Sequence, residues 1–422
     1  MLGKVHCDSL GALGTTRILS QAPSATVDDT VASVRSSRFS GSPCLSFRFF
    51  VSGTFAKIRK DRNVIRFRPS RPTSFTAACA MSLPISSSQT GVADVGIVVI
   101  GRNEGERLRR CFESVRGESA SIVYVDSGST DDSVAMARSL AVEVVELDRS
   151  IPFTAARARN AGVDRLMSLY PSTDLVLFVD GDCEIRAGWI AAARHAFAAD
   201  PKLAAVAGRL RERFPQASIY NRLCDMEWDA SPGAASSVGG IAVVRAAAFR
   251  DVAGFNPRII AGEEPELCVR LRRAGWKIAR LDAEMALHDA AMTRFSQWWK
   301  RAVRAGHAYA EGAALYGCSS ERHCVRESVS GWLYGLIVPA VIVGSVLTIG
   351  PWGLALLVVY PVLLIKIALG RRRARRDPWR WSLVYSCACI VAKPAEILGQ
   401  TRYWLRRLLR REPRILEHKT VN

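Results

Sequence analysis

The chain has 422 residues, 49% of them hydrophobic, which is enough for one substantial core and a second structural component. Its 58 Lys and Arg against 39 Asp and Glu give a formal net charge of +19 and point to anionic partners. The basic residues gather towards the two ends rather than on a globular face, which argues against nucleic-acid binding, and the 11 scattered cysteines contain no CxxC pair, so they indicate a reducing compartment rather than a disulfide framework or zinc site.

Residues 1–92 are rich in Ser, Thr, Arg and small residues and show no period of two or 3.6, so they are expected to build no core. Two readings stand for this basic leader: a targeting segment, or untranslated sequence upstream of a start at Met81. From Val95 the pattern changes to short β-branched runs, VGIVVIG, SIVYVDSG, AVEVVEL and DLVLFVDGD, each followed by an amphipathic segment or polar turn. That alternation predicts an α/β domain over residues 93–315 with a mainly parallel sheet, whose ligands bind beyond the carboxyl ends of the strands.

Polar clusters follow those strands. Gly101-Arg102-Asn103-Glu104 and Asp126-Ser127-Gly128-Ser129-Thr130-Asp131 form loops able to hold a nucleoside, and the second also reads as an ordinary strand-to-helix turn with a helix cap. In Asp180-Gly181-Asp182 two carboxylates flank a glycine at a strand mouth, a donor set for a hard divalent cation with room for a diphosphate. Glu263, Glu264 and Glu266 offer a base for an acceptor hydroxyl, although carboxylates also gather in first helical turns for electrostatic reasons, the preferred reading for Glu266. His288, in MALHDA, is either structural or a further metal ligand. The small-residue segment Ser231 to Gly240 is a candidate lid or a turn.

Residues 316–422 read as a membrane module. No charged residue occurs between Glu327 and Lys366, too long a stretch for one crossing of a hydrocarbon core about 30 Å thick. Gly350 and Pro351 divide it into a hairpin over about 332–349 and 354–369, and the arginines at 371–376 then keep both ends cytoplasmic. Trp381 to Leu398 carries Lys393, Pro394 and Glu396 and reads as interfacial, followed by a basic tail, with three full spans as the alternative. Trp298 and Trp299 beside Lys300, Arg301 and Arg304 read as an interfacial anchor facing membrane lipid.

Taken in order, VVIGRNE, VDSGSTD, ARARNAG, FVDGD, GEEPELCVRLRRAGW and LHDAAMTRF resemble the family 2 glycosyltransferases of the GT-A fold, a doubly wound, mainly parallel sheet, here followed by C-terminal transmembrane helices. The resemblance covers roughly Val95 to Gly312. It implies a nucleotide-sugar donor, a divalent metal ion (Mn2+ or Mg2+), a saccharide or lipid-linked acceptor and inversion at the anomeric carbon. Asn103, Glu104 and Asp126 then match nucleoside-contacting positions, with Arg102 in the same loop, Arg159 near the diphosphate and Asp180 on the ribose side. Asp182 matches the principal metal ligand, His288 a further ligand and Glu264 the general base. Ser127 and Glu264 stand where the family commonly has Asp. A polyprenyl-phosphate acceptor, and a non-catalytic nucleotide-binding protein of the same fold, are the alternatives.

Overall fold

The computed structural model describes residues 94–119 and 121–410. The leader expected over residues 1–92, the start at Met81 and the tail from Arg411 lie outside them.

The domain begins with β1 (Val95–Gly101), α1 (Glu106–Val115), β2 (Ile122–Asp126), α2 (Ser133–Ser139), β3 (Glu143–Glu146), α3 (Ala155–Leu169) and β4 (Leu175–Asp180). It continues with β5 (Cys183–Ile185), α4 (Trp189–Ala199), β6 (Leu203–Glu212), α5 (Ile219–Trp228), β7 (Gly233–Ala234), β8 (Ala242–Arg245) and α6 (Ala246–Asp251). Then come α7 (Glu263–Arg273), β9 (Lys277–His288) and α8 (Phe295–Tyr316).

The strands form one mixed sheet in the order β3-β2-β1-β4-β8-β6-β9-β5, with β7 beside β9. The first four are parallel neighbours, β8 runs antiparallel between β4 and β6, and β6 pairs with β9 in parallel. β2 and most of β1 and β4 are buried, as expected where helices cover both faces of a parallel sheet. The apolar runs recognisable in the sequence therefore supply the parallel half. The antiparallel half, from β6 to β9, mixes buried and exposed positions and lacks that signature.

Helix α3 lies directly on this sheet. A Cβ at Gly162 would collide with Val98 and Val125, so glycine permits the close approach that brings the preceding turn, with Arg159, under the carboxyl ends of β1 and β4. The loops after β1 and β2 are tied together: Asn103 Oδ1 accepts from Thr130 N at 2.7 Å, and Asn103 N donates to Ser129 Oγ at 2.9 Å.

After the sheet domain the chain runs through α9 (Val325–Trp332), a π turn (Leu333–Ile337), α10 (Val338–Ile349), a 3-10 stretch (Gly350–Val358), α11 (Val359–Arg375) and α12 (Trp379–Leu408). Two helical stretches, Val325–Arg375 and Trp379–Leu408, are long and apolar enough to cross a membrane by length and composition. The first doubles back at Gly350, whose φ of 67° breaks the helix. A Cβ at Gly353 would fall 2.6 Å from the Ser345 carbonyl carbon, and Tyr360 Oη donates to Tyr334 O at 2.8 Å, so the two arms are antiparallel neighbours. Large side chains along both arms, among them Leu347, Trp352 and Val362, face outward.

Helix α12 follows α8 for much of its length. Trp298 packs near Ala388 and Ala392, and the rings of His307 and Tyr403 meet edge to face at 5.3 Å. Between these points a Cβ at Gly306 would land on the backbone of Glu396, and one at Gly399 on that of Val303. The same helix touches the arms near their base, at Arg371 through Tyr385, at Gly335 through Lys393 and Ile397, and at Ser328 through Gln400.

Candidate active site

A cavity of about 400 Å³ opens at the carboxyl ends of β1 and β4, where the parallel sheet meets its antiparallel half. Arg102, Asn103, Glu104, Arg159, Asp180, Asp182, Glu264 and His288 all line it, although the chain separates the first from the last by 186 positions. Asp126 does not line it. Its carboxylate is buried and accepts from Gly128 N and Ser129 N at 2.8 Å each, from Ser129 Oγ at 2.5 Å and from Tyr124 Oη at 3.0 Å. It shapes the loop from below, and the neighbouring Ser127 faces the cavity.

Arg159 is the buried centre of the site. Nη2 donates to Asp180 Oδ1 at 3.0 Å, while Nη1 lies 3.0 Å from Glu263 Oε1 and 2.9 Å from Glu264 Oε1. Burial alone pulls a guanidinium's pKa down, but Glu264, Asp180 and Glu263 outweigh it and hold the charge. Arg159 lines the same cavity as Asp182 and His288, and its guanidinium is turned to these three carboxylates. The fork geometry of Arg suits this task, since one side chain addresses several oxygens in fixed directions.

One cation among three carboxylates leaves excess negative charge. Burial raises Glu264 well above the usual carboxylate range, the charge of Glu263 adds to it, and Arg159 opposes both. A carboxylate tuned upward in this way is suited to taking a proton near neutral pH. Glu266 in the same turn is engaged elsewhere: it pairs with Arg270 at 2.7 Å and accepts from Tyr316 Oη at 2.5 Å.

A second cluster lies across the cavity. Asp182 Oδ2 is 3.5 Å from His288 Nε2, and ligand atoms of Asp182, Cys183 and His288 all fall within 4.8 Å of one another. The antiparallel pairing of β5 with β9 sets Cys183 opposite His288, which explains why residues 105 positions apart share a site. Burial, then Asp182 and Asp180, raises the Cys183 thiol well above its ordinary value, and soft sulfur is a poor partner for a hard cation. The carboxylate and imidazole do fit a divalent ion of the Mn2+ type. Glu212, buried behind the ring, has Oε2 3.9 Å from His288 Nδ1, and Trp228 packs on the imidazole with centroids 4.5 Å apart. Such outer groups hold a ligating imidazole in place.

Several of these contributors left no local signal in the sequence. Glu212 and Trp228 belong to none of the sequence motifs, and Cys183 is one of the scattered cysteines. Gly240 ends the small-residue segment considered as a lid, and a Cβ there would lie 2.7 Å from Asp180 Oδ2 and 2.9 Å from Arg159 Nη2. Within that segment Val238 is buried and Ala235 N donates to Ile278 O at 3.0 Å, while Ser236 and Gly239 are exposed.

Comparison with known proteins bears on this arrangement. Two family models match, Glycosyl transferase family 2 over residues 96–228 and Glycosyl transferase family group 2 over residues 181–392, the second alone spanning half the chain. The pre-mycofactocin glycosyltransferases of Mycobacterium tuberculosis strains CDC 1551 / Oshkosh and H37Rv are each 31% identical over 249 residues, covering 55% of this chain and 48% of theirs. The chain thus spans about half the length of these curated relatives.

Among solved structures, the mannosyltransferase PcManGT from Pyrobaculum calidifontis, in complex with GDP-Man and Mn2+, is 18% identical with a TM-score of 0.48, covering 75% of this chain and 88% of that one. Glucosyl-3-phosphoglycerate synthase from Mycobacterium tuberculosis, with Mn2+, UDP and glucosyl-3-phosphoglycerate, is 16% identical with a TM-score of 0.39, covering 53% and 79%. With the ordered strand-end motifs in one cavity and family models spanning residues 96–392, the chain belongs to the family 2 glycosyltransferases.

Proposed function

We propose that this protein is an inverting glycosyltransferase that moves a sugar from a nucleotide-diphosphate sugar to a hydroxyl of a saccharide or lipid-linked acceptor at the cytoplasmic face of a membrane. Cell-surface polysaccharide or glycolipid synthesis is the process that such a reaction serves. The observation that carries this reading is the placement of Glu264, held by Arg159 beside Asp180, on the wall of the cavity that also contains Asp182 and His288.

In this reading the loops bearing Arg102, Asn103 and Glu104 cradle the nucleoside, with Ser127 on the same wall and Asp126 holding the loop's shape. Asp180 faces the ribose side. Asp182 and His288 would hold a divalent ion, which supplies Lewis-acid stabilisation of charge on the departing diphosphate. Arg159 orients Asp180 and Glu264 relative to each other. Glu264 accepts the proton of the acceptor hydroxyl as that oxygen attacks the anomeric carbon, and a single displacement inverts the configuration.

The same reading assigns residues 93–315 to the catalytic domain and 316–422 to a membrane hairpin with an interfacial basic segment. Arg375 at the end of α11 lies 3.9 Å from Asp229, which supports an arginine cluster on the same side as the catalytic domain and hence cytoplasmic placement. The course of α12 along α8, touching the hairpin near its base, supports an interfacial helix rather than a third crossing.

Three outcomes follow for the full chain in detergent or in cells. One or more nucleotide-diphosphate sugars raise its apparent melting temperature when Mn2+ is present, and Asp182→Ala abolishes the shift; the absence of any shift for a folded wild-type sample contradicts the transferase reading. The acidic limb of the pH–rate profile lies above the ordinary carboxylate value of about 4.3, because Glu264 must be ionised, and it moves to lower pH in Glu263→Gln, which removes a neighbouring negative charge. A reporter fused after Asn422 reads cytoplasmic while a tag at Trp352 reads external; an external C-terminus contradicts the hairpin.

A further inference from the structure

A second cavity, of about 700 Å³, adjoins the first and shares Gly262 and Arg304 with it. Its wall on α8 includes Ala302, Ala305 and Ala308, and its wall on α12 includes Ala388 and Ala392. Spacings of three and four residues place these alanines on one face of each helix, and their small side chains leave a trough. From Trp298 to Leu315, both lining residues, the trough follows 17 residues of helix, about 25 Å at 1.5 Å per residue. That is the reach of a long alkyl or isoprenoid chain.

Two further observations specify an amphipathic occupant. Helix α12, one wall of the trough, also touches the hairpin near its base, so the trough lies next to the segments read as membrane-spanning. It is also not wholly apolar: the ion pairs Arg301–Glu227 and Lys393–Glu396 line it with their charges matched, and Glu311 lines it with Oε2 buried without a hydrogen-bond partner among the described residues, 3.7 Å from His307 Nδ1. A buried polar atom in that state is stabilised by a hydroxyl-bearing ligand. Burial, with Glu266 and Glu263, raises Glu311 to about 7, so it can donate or accept such a bond near neutral pH.

We infer that this trough is the acceptor subsite, and that it takes a lipid-linked saccharide whose aliphatic or isoprenoid chain lies along the alanine faces of α8 and α12 with its sugar at Gly262 and Arg304, beside Glu264. The inference rests on the glycosyltransferase reading and narrows it from saccharide or lipid-linked acceptors to the lipid-linked class. A water-soluble saccharide would leave the trough without an occupant, at the cost of the apolar contacts that a chain makes there.

The test uses the full chain in nanodiscs and a hexadecyl β-glucoside carrying a photoreactive diazirine at mid-chain. Illumination is expected to label peptides containing Ala302–Ala308 and Ala388–Ala392. Unlabelled hexadecyl glucoside is expected to compete at least about tenfold better than octyl glucoside, in keeping with eight further buried methylenes. Ala305→Trp and, independently, Ala388→Trp fill the trough and should remove this labelling while leaving nucleotide-sugar stabilisation intact, which also shows that each variant is folded. Label confined to residues 333–369 and indifferent to both substitutions marks bulk membrane lipid and overturns the inference while leaving the donor reading standing. Equal competition by the two glucosides also overturns it. Trough labelling in a protein that no nucleotide sugar stabilises overturns the transferase reading, and the acceptor role with it.

Discussion

The ion pairs of one buried guanidinium organise the active-site region. Arg159 is only 2% exposed, and it reaches Asp180 at the end of β4 and both Glu263 and Glu264 at the start of α7. An unpaired charge at that depth is prohibitive, so the cation requires the carboxylates as much as they require it. The result is a constraint on three segments at once: α3 must press onto the sheet through Gly162, the β4 loop must present Asp180, and α7 must begin where it does. Gly240 completes the arrangement by approaching the cluster more closely than any side chain permits. The same burial that makes Arg159 depend on its carboxylates, with the charge of Glu263 added, also lifts the pKa of Glu264, so the packing solution and the proposed chemistry are linked.

The C-terminal helices depend on a different contact. Gly306 on α8 and Gly399 on α12 let the two helices touch backbone to backbone, which fixes α12 against the sheet domain. Helix α8 begins at Phe295, seven positions after His288 at the end of β9, so the trough between α8 and α12 adjoins the first cavity. The two cavities meet at Gly262, the residue before the carboxylate pair, whose φ of 83° suits glycine. The proposed base, Glu264, therefore follows within two residues of the point where the two cavities join.

Much of this was legible in the sequence, for identifiable reasons. β1, β2 and β4 are buried on both faces, so their residues form continuous apolar runs, and the polar clusters that follow them mark the cavity rim. Asp180, Asp182 and Glu264 stood out because pairs of carboxylates next to glycine or in a first helical turn are locally recognisable. What was not legible arises from long-range pairing. That Arg159 serves Asp180, Glu263 and Glu264 depends on contacts across as many as 105 positions. That Cys183 stands beside His288 depends on the β5–β9 register. Asp126 shows the converse: a motif position legible in the sequence whose side chain turns inward to serve its own loop.

The most direct test of the account is Arg159→Lys, assayed for sugar transfer and for nucleotide-sugar stabilisation in the same preparation. Lysine keeps the positive charge but lacks the fork that joins Asp180 to Glu264. Retained donor stabilisation with transfer reduced roughly 100-fold or more is the predicted result, the scale of a displaced general base. Transfer at the wild-type rate would show that the site does not depend on this guanidinium's geometry, and would contradict the account.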